Sequence, residues 1–130
     1  MSDFRLKDIL LRMRNAFSDV STNIFTNGRP KTISDDLDTF IVISLPVMQY
    51  SKTYGKGYGM TTSYARVEIF VRDMNGLEMT AKLDDLIDRC MDKFPINDDF
   101  ITMSRPRVVM DGPDGYGFHT ATIQASYITK

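Results

Sequence analysis

The sequence predicts an α+β protein in the order α-β-β-α-β-β, with two helices packed on one face of a small, mostly antiparallel sheet. Three observations predict it. Apolar residues recur at helical spacing over 6–17 and 83–94, and two runs, 40–48 and 63–73, have strand character. A Pro-Asp-Gly turn joins two further extended runs towards the C-terminus. At 130 residues the chain suits a single domain spanning 1–130, long enough to bury one core.

In the first helix Leu6, Ile9, Leu10, Met13 and Phe17 fall at offsets of 3, 4, 7 and 11, while Arg5, Lys7, Asp8, Arg12 and Arg14 lie mainly on the other face. Ser2 is the expected N-cap, its hydroxyl accepting from a first-turn amide. The helix fades over 18–22, Asn27-Gly28 and Arg29-Pro30 form a turn, and Ser34-Asp35-Asp36-Leu37-Asp38 reads as a solvated acidic connection.

FIVISLPVM, residues 40–48, is a β-branched apolar run that predicts a strand buried on both faces at its start and weakened at Pro46. SYARVEIFVRD alternates: Ala65, Val67, Ile69 and Val71 point inward, and Arg66, Glu68 and Arg72 point to water with Phe70 among them. The intervening QYSKTYGKGYGMTTS is too long for a tight hairpin and reads as a loop. Asn75 and Glu78 resemble a capping arrangement for a helix that buries Leu83, Leu86, Ile87, Cys90 and Phe94, and Pro95 stops that helix. FITMSRPRVVMD is the third strand, and Pro106 within it, lacking a ladder donor, marks an edge position or a bulge. The fourth strand runs from about Phe118 to Ile128.

Composition narrows the function. The net charge of −1 argues against a large basic footprint for nucleic acid. The lone Cys90 closes no intrachain disulfide, predicts a reducing compartment, and on a buried helix face reads as a small core residue. No stretch has the length of a membrane span or the form of a signal peptide, so a protein without membrane or export role is expected.

Two stretches invite a catalytic or ligand-binding reading. MDGPDGYGFHTATIQASY contains the only histidine, His119, after an Asp- and Gly-rich run. It lacks the spaced oxygen ligands and terminal Glu of an EF-hand, and Pro113-Asp114-Gly115 has turn chemistry. His119 then opens the inward row of the last strand, with Ala121, Ile123, Ala125 and Tyr127. The loop Tyr54-Gly55-Lys56-Gly57-Tyr58-Gly59-Met60 is no phosphate cradle, because a strand and not a helix follows it. It is either a surface excursion without fixed role or a segment that orders against a partner, for which Tyr and Met supply adaptable area. Arg105 and Arg107 flank Pro106 and are available to carboxylates or phosphates, or simply discourage strand pairing.

Taken together, the N-terminal amphipathic helix, FIVISLP, YARVEIFVRD, LEMTAKLDDLIDRCMDKF and the final hairpin RVVMDGPDGYGFHTATIQASY give a layout similar to the tail-terminator or tail-completion proteins of bacteriophages. The resemblance covers about residues 3 to 128. It implies a non-enzymatic virion protein that forms a homo-oligomeric ring, sixfold or twelvefold, at the head–tail junction. There it caps the tail tube or connects it to the neck, and its partners are tail-tube and neck or connector proteins. It implies a place in the virion tail or neck and, during assembly, in the host cytoplasm. No catalytic residue, cofactor or metal is expected. Heterologous ring contacts need two complementary surfaces. The candidates are Tyr54, Lys56, Tyr58 and Met60 in the Gly-rich loop, Arg105 and Arg107 on the edge strand, and Asp35 and Asp36 in the acidic connection. Lys52 and Lys56 would make weak, sequence-independent contact with DNA in the channel. The rival expectation is a small ferredoxin-like enzyme or ligand-binding domain with a site near Asp111, Asp114 and His119.

Overall fold

A computed structural model of the chain describes residues 6–26, 33–34, 36–47, 50–53, 57–60, 63–74, 79–97 and 101–129. Their order is α1 (Leu6–Phe17), β1 (Ile24–Thr26), β2 (Thr39–Val47), β3 (Tyr50–Thr53), β4 (Gly57–Met60), β5 (Ser63–Arg72), α2 (Thr80–Met91), β6 (Ile96–Asn97), β7 (Ile101–Pro113) and β8 (Phe118–Thr129). The class is α+β, as expected. The four expected strands are β2, β5, β8 and β7, which lie side by side.

The sheet is larger than expected. It has six strands in the order β1-β2-β5-β8-β7-β6, and it is mixed, because β1 runs parallel to β2 through Ile24–Ile41 and Thr26–Ile43. The Gly-rich stretch also differs from the expected loop. Tyr50 pairs with Met60, Ser51 with Gly59, Lys52 with Tyr58 and Thr53 with Gly57, forming an antiparallel ribbon in a sheet of its own. The β2–β5 ladder ends at Val47–Tyr64, so the ribbon continues that hairpin almost in register.

Period-two alternation builds the main core. Ile41, Ile43, Ala65, Val67, Ile69, Val71, Ala121, Ile123, Ala125 and Tyr127 present one sheet face, and both helices cover it. From α1 come Ile9, Leu10, Met13 and Phe17, and from α2 Leu83, Leu86, Ile87 and Cys90. Phe17 and Phe94 bring the helix ends together at 5.9 Å between ring centroids. The Lys93 ammonium then bridges to Asp19 at 2.6 Å, and the Arg89 guanidinium donates to the Asp19 carbonyl at 2.8 Å. Each fully buried aliphatic or aromatic side chain here contributes on the order of 1.5–3 kcal/mol.

The second sheet face is not simply wet. Phe40, Val42, Phe70 and Phe118 form a separate buried cluster on it, with Phe25, Ile33 and Leu37 packed around them. Phe40 stacks on Phe70 at 4.4 Å and meets Phe118 edge-on at 5.2 Å. Phe70 is the residue that interrupts the polar row Arg66, Glu68 and Arg72, and this cluster is the reason. The acidic connection is likewise more than solvated: Leu37 packs on the cluster while Arg72 donates to the carbonyls of Ser34 and Leu37.

The start of the second helix differs from the sequence reading. Ser2 and the Asn75 to Glu78 segment lie outside the described residues. α2 begins at Thr80 with Met79 at the N-cap position and no side-chain cap bond.

Candidate interaction surface on the open face and free edge

The open face carries its polar chemistry where β5, β8 and the distal half of β7 run together. Period-two geometry puts Arg66 and Glu68 of β5 beside Thr122 and Gln124 of β8, and the register places Val109 opposite Thr122 and Arg107 opposite Gln124. All of these except Arg107, with Phe70, Asp111, Pro113, Asp114 and Thr120, line a shallow trough of about 590 Å³. Asp111 accepts a hydrogen bond from the Thr122 hydroxyl, which fixes the carboxylate over the trough wall. Burial pushes the Glu68 carboxyl above its ordinary value; the Arg66 charge opposes that shift and the Asp111 charge adds to it.

A smaller hollow of about 170 Å³ adjoins it, lined by Tyr64, Arg105, Arg107, Gln124 and Ser126. Its shape comes from a bulge. Ser104 pairs with Ser126 and Arg107 with Gln124, so Arg105 and Pro106 stand opposite Ala125 alone. Arg105 has φ 58°, a left-handed conformation that costs a non-glycine residue about 1–2 kcal/mol. Pro106 has no amide hydrogen to lose from a ladder, which is why the irregularity falls there. The bulge brings Arg105 and Arg107 to the same hollow. Among the described residues neither has an ion-pair or hydrogen-bond partner within the chain.

β7 is an edge over most of its length. β6 pairs only with Thr102 and Met103, so from Ser104 to Pro113 no described strand lies on that side. Val108, Val109 and Met110, in the middle of this free edge, are 36%, 56% and 53% exposed. Three consecutive exposed apolar residues on an unpaired edge strand are a pattern that folded proteins otherwise avoid. A second bulge follows between Met110 and Gly112, with Gly112 at φ 83°.

The other sequence candidates fall elsewhere. Asp36 sits exposed in the turn held by Arg72, its amide donating to the Ser34 hydroxyl at 3.3 Å. Tyr58 and Met60 lie on β4, in register with Lys52 and Tyr50. Tyr54, Lys56 and Asp35 lie outside the described residues. Cys90 is fully buried, and desolvation pushes its thiol up to about 12. The trio Asp111, Asp114 and His119 is not assembled into one site. Asp114 accepts from the amides of Tyr116 at 2.7 Å and Phe118 at 3.1 Å, which organises the hairpin turn. Asp111 faces the trough, whereas His119 belongs to the opposite face, with its Nδ1 2.6 Å from the Asp73 carboxylate. No group of three metal-ligating side chains occurs among the described residues, and no described helix is long and apolar enough to cross a membrane. The trough, the exposed apolar run and the Asp73–His119 contact were missed from sequence; the VVM triplet beside Pro106 was the one available signal.

No family model matches the chain, and no curated protein matches it. Solved structures do: 23 chains match, so the fold recurs. One of them, whose name states no activity or partner, aligns with a TM-score of 0.67 at 12% identity, over 98% of this chain and 97% of that chain. Coverage this complete on both sides makes the shared unit the whole α+β fold and not a fragment of it. At that identity the likeness concerns fold alone.

Proposed function

We propose that the chain is a non-enzymatic structural component of a bacteriophage head–tail junction, assembling as a ring of the tail-terminator or tail-completion type. The observation that carries this reading is the free edge of β7, with exposed Val108, Val109 and Met110 flanked by Arg105 and Arg107. An isolated monomer gains nothing from such an edge and risks indiscriminate strand pairing, whereas a subunit that buries it in a neighbour turns the same feature into affinity. Further support comes from the order of helices and strands, on which the resemblance rests. The polar trough suits recognition of another protein surface better than enclosure of a small molecule, because it is broad and open. In this role the β3–β4 ribbon, with Lys52 in it, contacts tail-tube or neck proteins and, weakly, the DNA in the channel.

The test is assembly. Purified protein is examined by light scattering and negative-stain microscopy, alone and mixed with a polymerising bacteriophage tail-tube protein. Rings, and tubes that stop growing when the protein is added, are expected. A protein that stays monomeric at every concentration and leaves tube length unchanged overturns the reading.

A further inference from the structure

The six-stranded sheet ends in two unlike patches. At the β7 side, along the middle of its ladder with β8, lies an apolar run beside two guanidinium groups: Val108 to Met110, preceded by Arg105 and Arg107 at the Ser104–Ser126 bulge. At the β2 side, near the Thr39–Val71 end, lies the acidic turn: Asp36 is exposed, and the Asp38 side chain is 57% exposed beyond its 3.7 Å contact with Arg72. Phe25, Ile33 and Leu37, each half-buried, form an apolar rim beside those carboxylates. Each patch therefore combines apolar surface with charge: the first is cationic at its Arg105 and Arg107 end and carries Asp111 beyond Met110 at the other, and the second is anionic at Asp36 and Asp38. The turn is also held firmly in place, because the Arg72 guanidinium donates to Leu37 at 2.9 Å and to Ser34 at 3.1 Å. A carboxylate presented on a fixed backbone loses little entropy when a partner meets it.

We propose that the occupant of the β7 edge is a second copy of this chain, seated head-to-tail with Arg105 and Arg107 on the Asp36 and Asp38 turn of its neighbour. The proposal rests on the ring reading and deepens it. Two different patches at opposite ends of the sheet are what a heterologous contact needs, and repetition of that contact about an axis closes a ring. Burial of Val108, Val109 and Met110 against the Phe25, Ile33 and Leu37 rim supplies affinity, and the charge pairs set register and exclude the reversed approach.

Charge exchange tests it. Arg107→Glu and Asp36→Arg each place like charges in the contact, so each is expected to weaken ring assembly at least about tenfold by light scattering. The two exchanges combined in one chain restore opposite charges at every contact and are expected to restore the ring. Circular dichroism and melting temperature check that each variant folds. Should the double variant fail to fold, cysteine cross-linking reads the same geometry: Arg107→Cys mixed with Asp36→Cys gives disulfide-linked dimers of the two variants, with Cys90 buried and inert. Rings that ignore both exchanges overturn this inference and leave the ring reading standing. A wild-type protein that never assembles overturns both. Loss of assembly with Arg107→Glu but not with Asp36→Arg, together with Val109→Cys homodimers, assigns antiparallel β7-to-β7 pairing centred on Val109, with Arg107 of one copy opposite Asp111 of the other, and overturns the head-to-tail contact.

Discussion

The Arg72 guanidinium lies 4.6 Å from the centroid of the Phe118 ring. Its fork donates to the Leu37 carbonyl at 2.9 and 3.2 Å and to Ser34 at 3.1 Å, so one side chain joins the strand end, the aromatic cluster and the acidic turn. The planar shape matters more than the charge, because an ammonium neither stacks on a ring over its full width nor reaches two carbonyls as a fork. Arg72→Ala is expected to cost about 1–3 kcal/mol in urea unfolding, and Arg72→Lys to recover less than half of that loss. If Arg72→Lys matches the wild type, the fork and the ring contact are not what hold the turn. The loss should also loosen the turn that carries Asp36, so both variants should weaken assembly.

Cys90 is the clearest prediction of silence. It packs between the helices in the main cluster, and desolvation holds its thiol at about 12. The thiolate is the reactive form, so a thiol reagent at pH 8 should label the native protein only through opening. Labelling should be at least about a hundredfold slower than in the urea-unfolded chain, and it should accelerate with denaturant along the global unfolding curve. Rapid labelling without denaturant would place Cys90 at a surface.

The centre of the fold was legible because its signals are local. Ala65, Val67, Ile69 and Val71 alternate over a full strand, Phe40 to Ile43 form an unbroken apolar run, and all of these are buried. Pro106 announced the bulge by the donor it lacks. What was not legible depends on pairing across sequence. Ile24-Phe25-Thr26 is too short to show a period, and it becomes a strand only because Ile41 to Ile43 offer it an open edge. Phe40, Phe70 and Phe118 come from three strands, and their cluster exists only once the β2–β5–β8 register is set. The trough has the same origin, since Glu68 and Asp111 share a wall only through β8. The ribbon of β3 and β4 was hidden for a different reason: three glycines at alternate positions from Gly55 to Gly59 look like a loop, and the hairpin becomes evident only as an extension of the β2–β5 ladder.

The hairpin turn at the end of β7 relies on backbone conformation more than on packing. Gly112 and Gly115 have φ of 83° and 84°, and a Cβ added at either meets nothing within 4 Å. Alanine there therefore costs only its dislike of the left-handed region, about 1–2 kcal/mol at each position. The two substitutions should add, since they share no side-chain partner. Urea unfolding of Gly112→Ala, Gly115→Ala and the double variant measures this. A loss much above the sum would mean that the turn sets the β7–β8 register and not merely its ending.

Glu68 sets the sign of one pH dependence. Its carboxyl is raised from the ordinary 4.5, first by burial in the trough wall, against the pull of Arg66 and with the push of Asp111. A raised carboxyl binds a proton more tightly in the folded chain than in the unfolded one. Through the window from about 4.5 up to the folded value, this group therefore makes stability fall as pH rises. Below that window the penalty is absent, and above it the full penalty remains. Glu68→Gln removes the charge and keeps the shape. It is expected to melt higher than the wild type at neutral pH and to lose that advantage as pH is brought below 4.5, which thermal scans at matched ionic strength detect. The opposite order at neutral pH would mean that the Arg66 pairing outweighs desolvation. In that case the trough would be a site that favours the ionised carboxylate, and Asp111→Asn should then stabilise the chain further by removing the like charge.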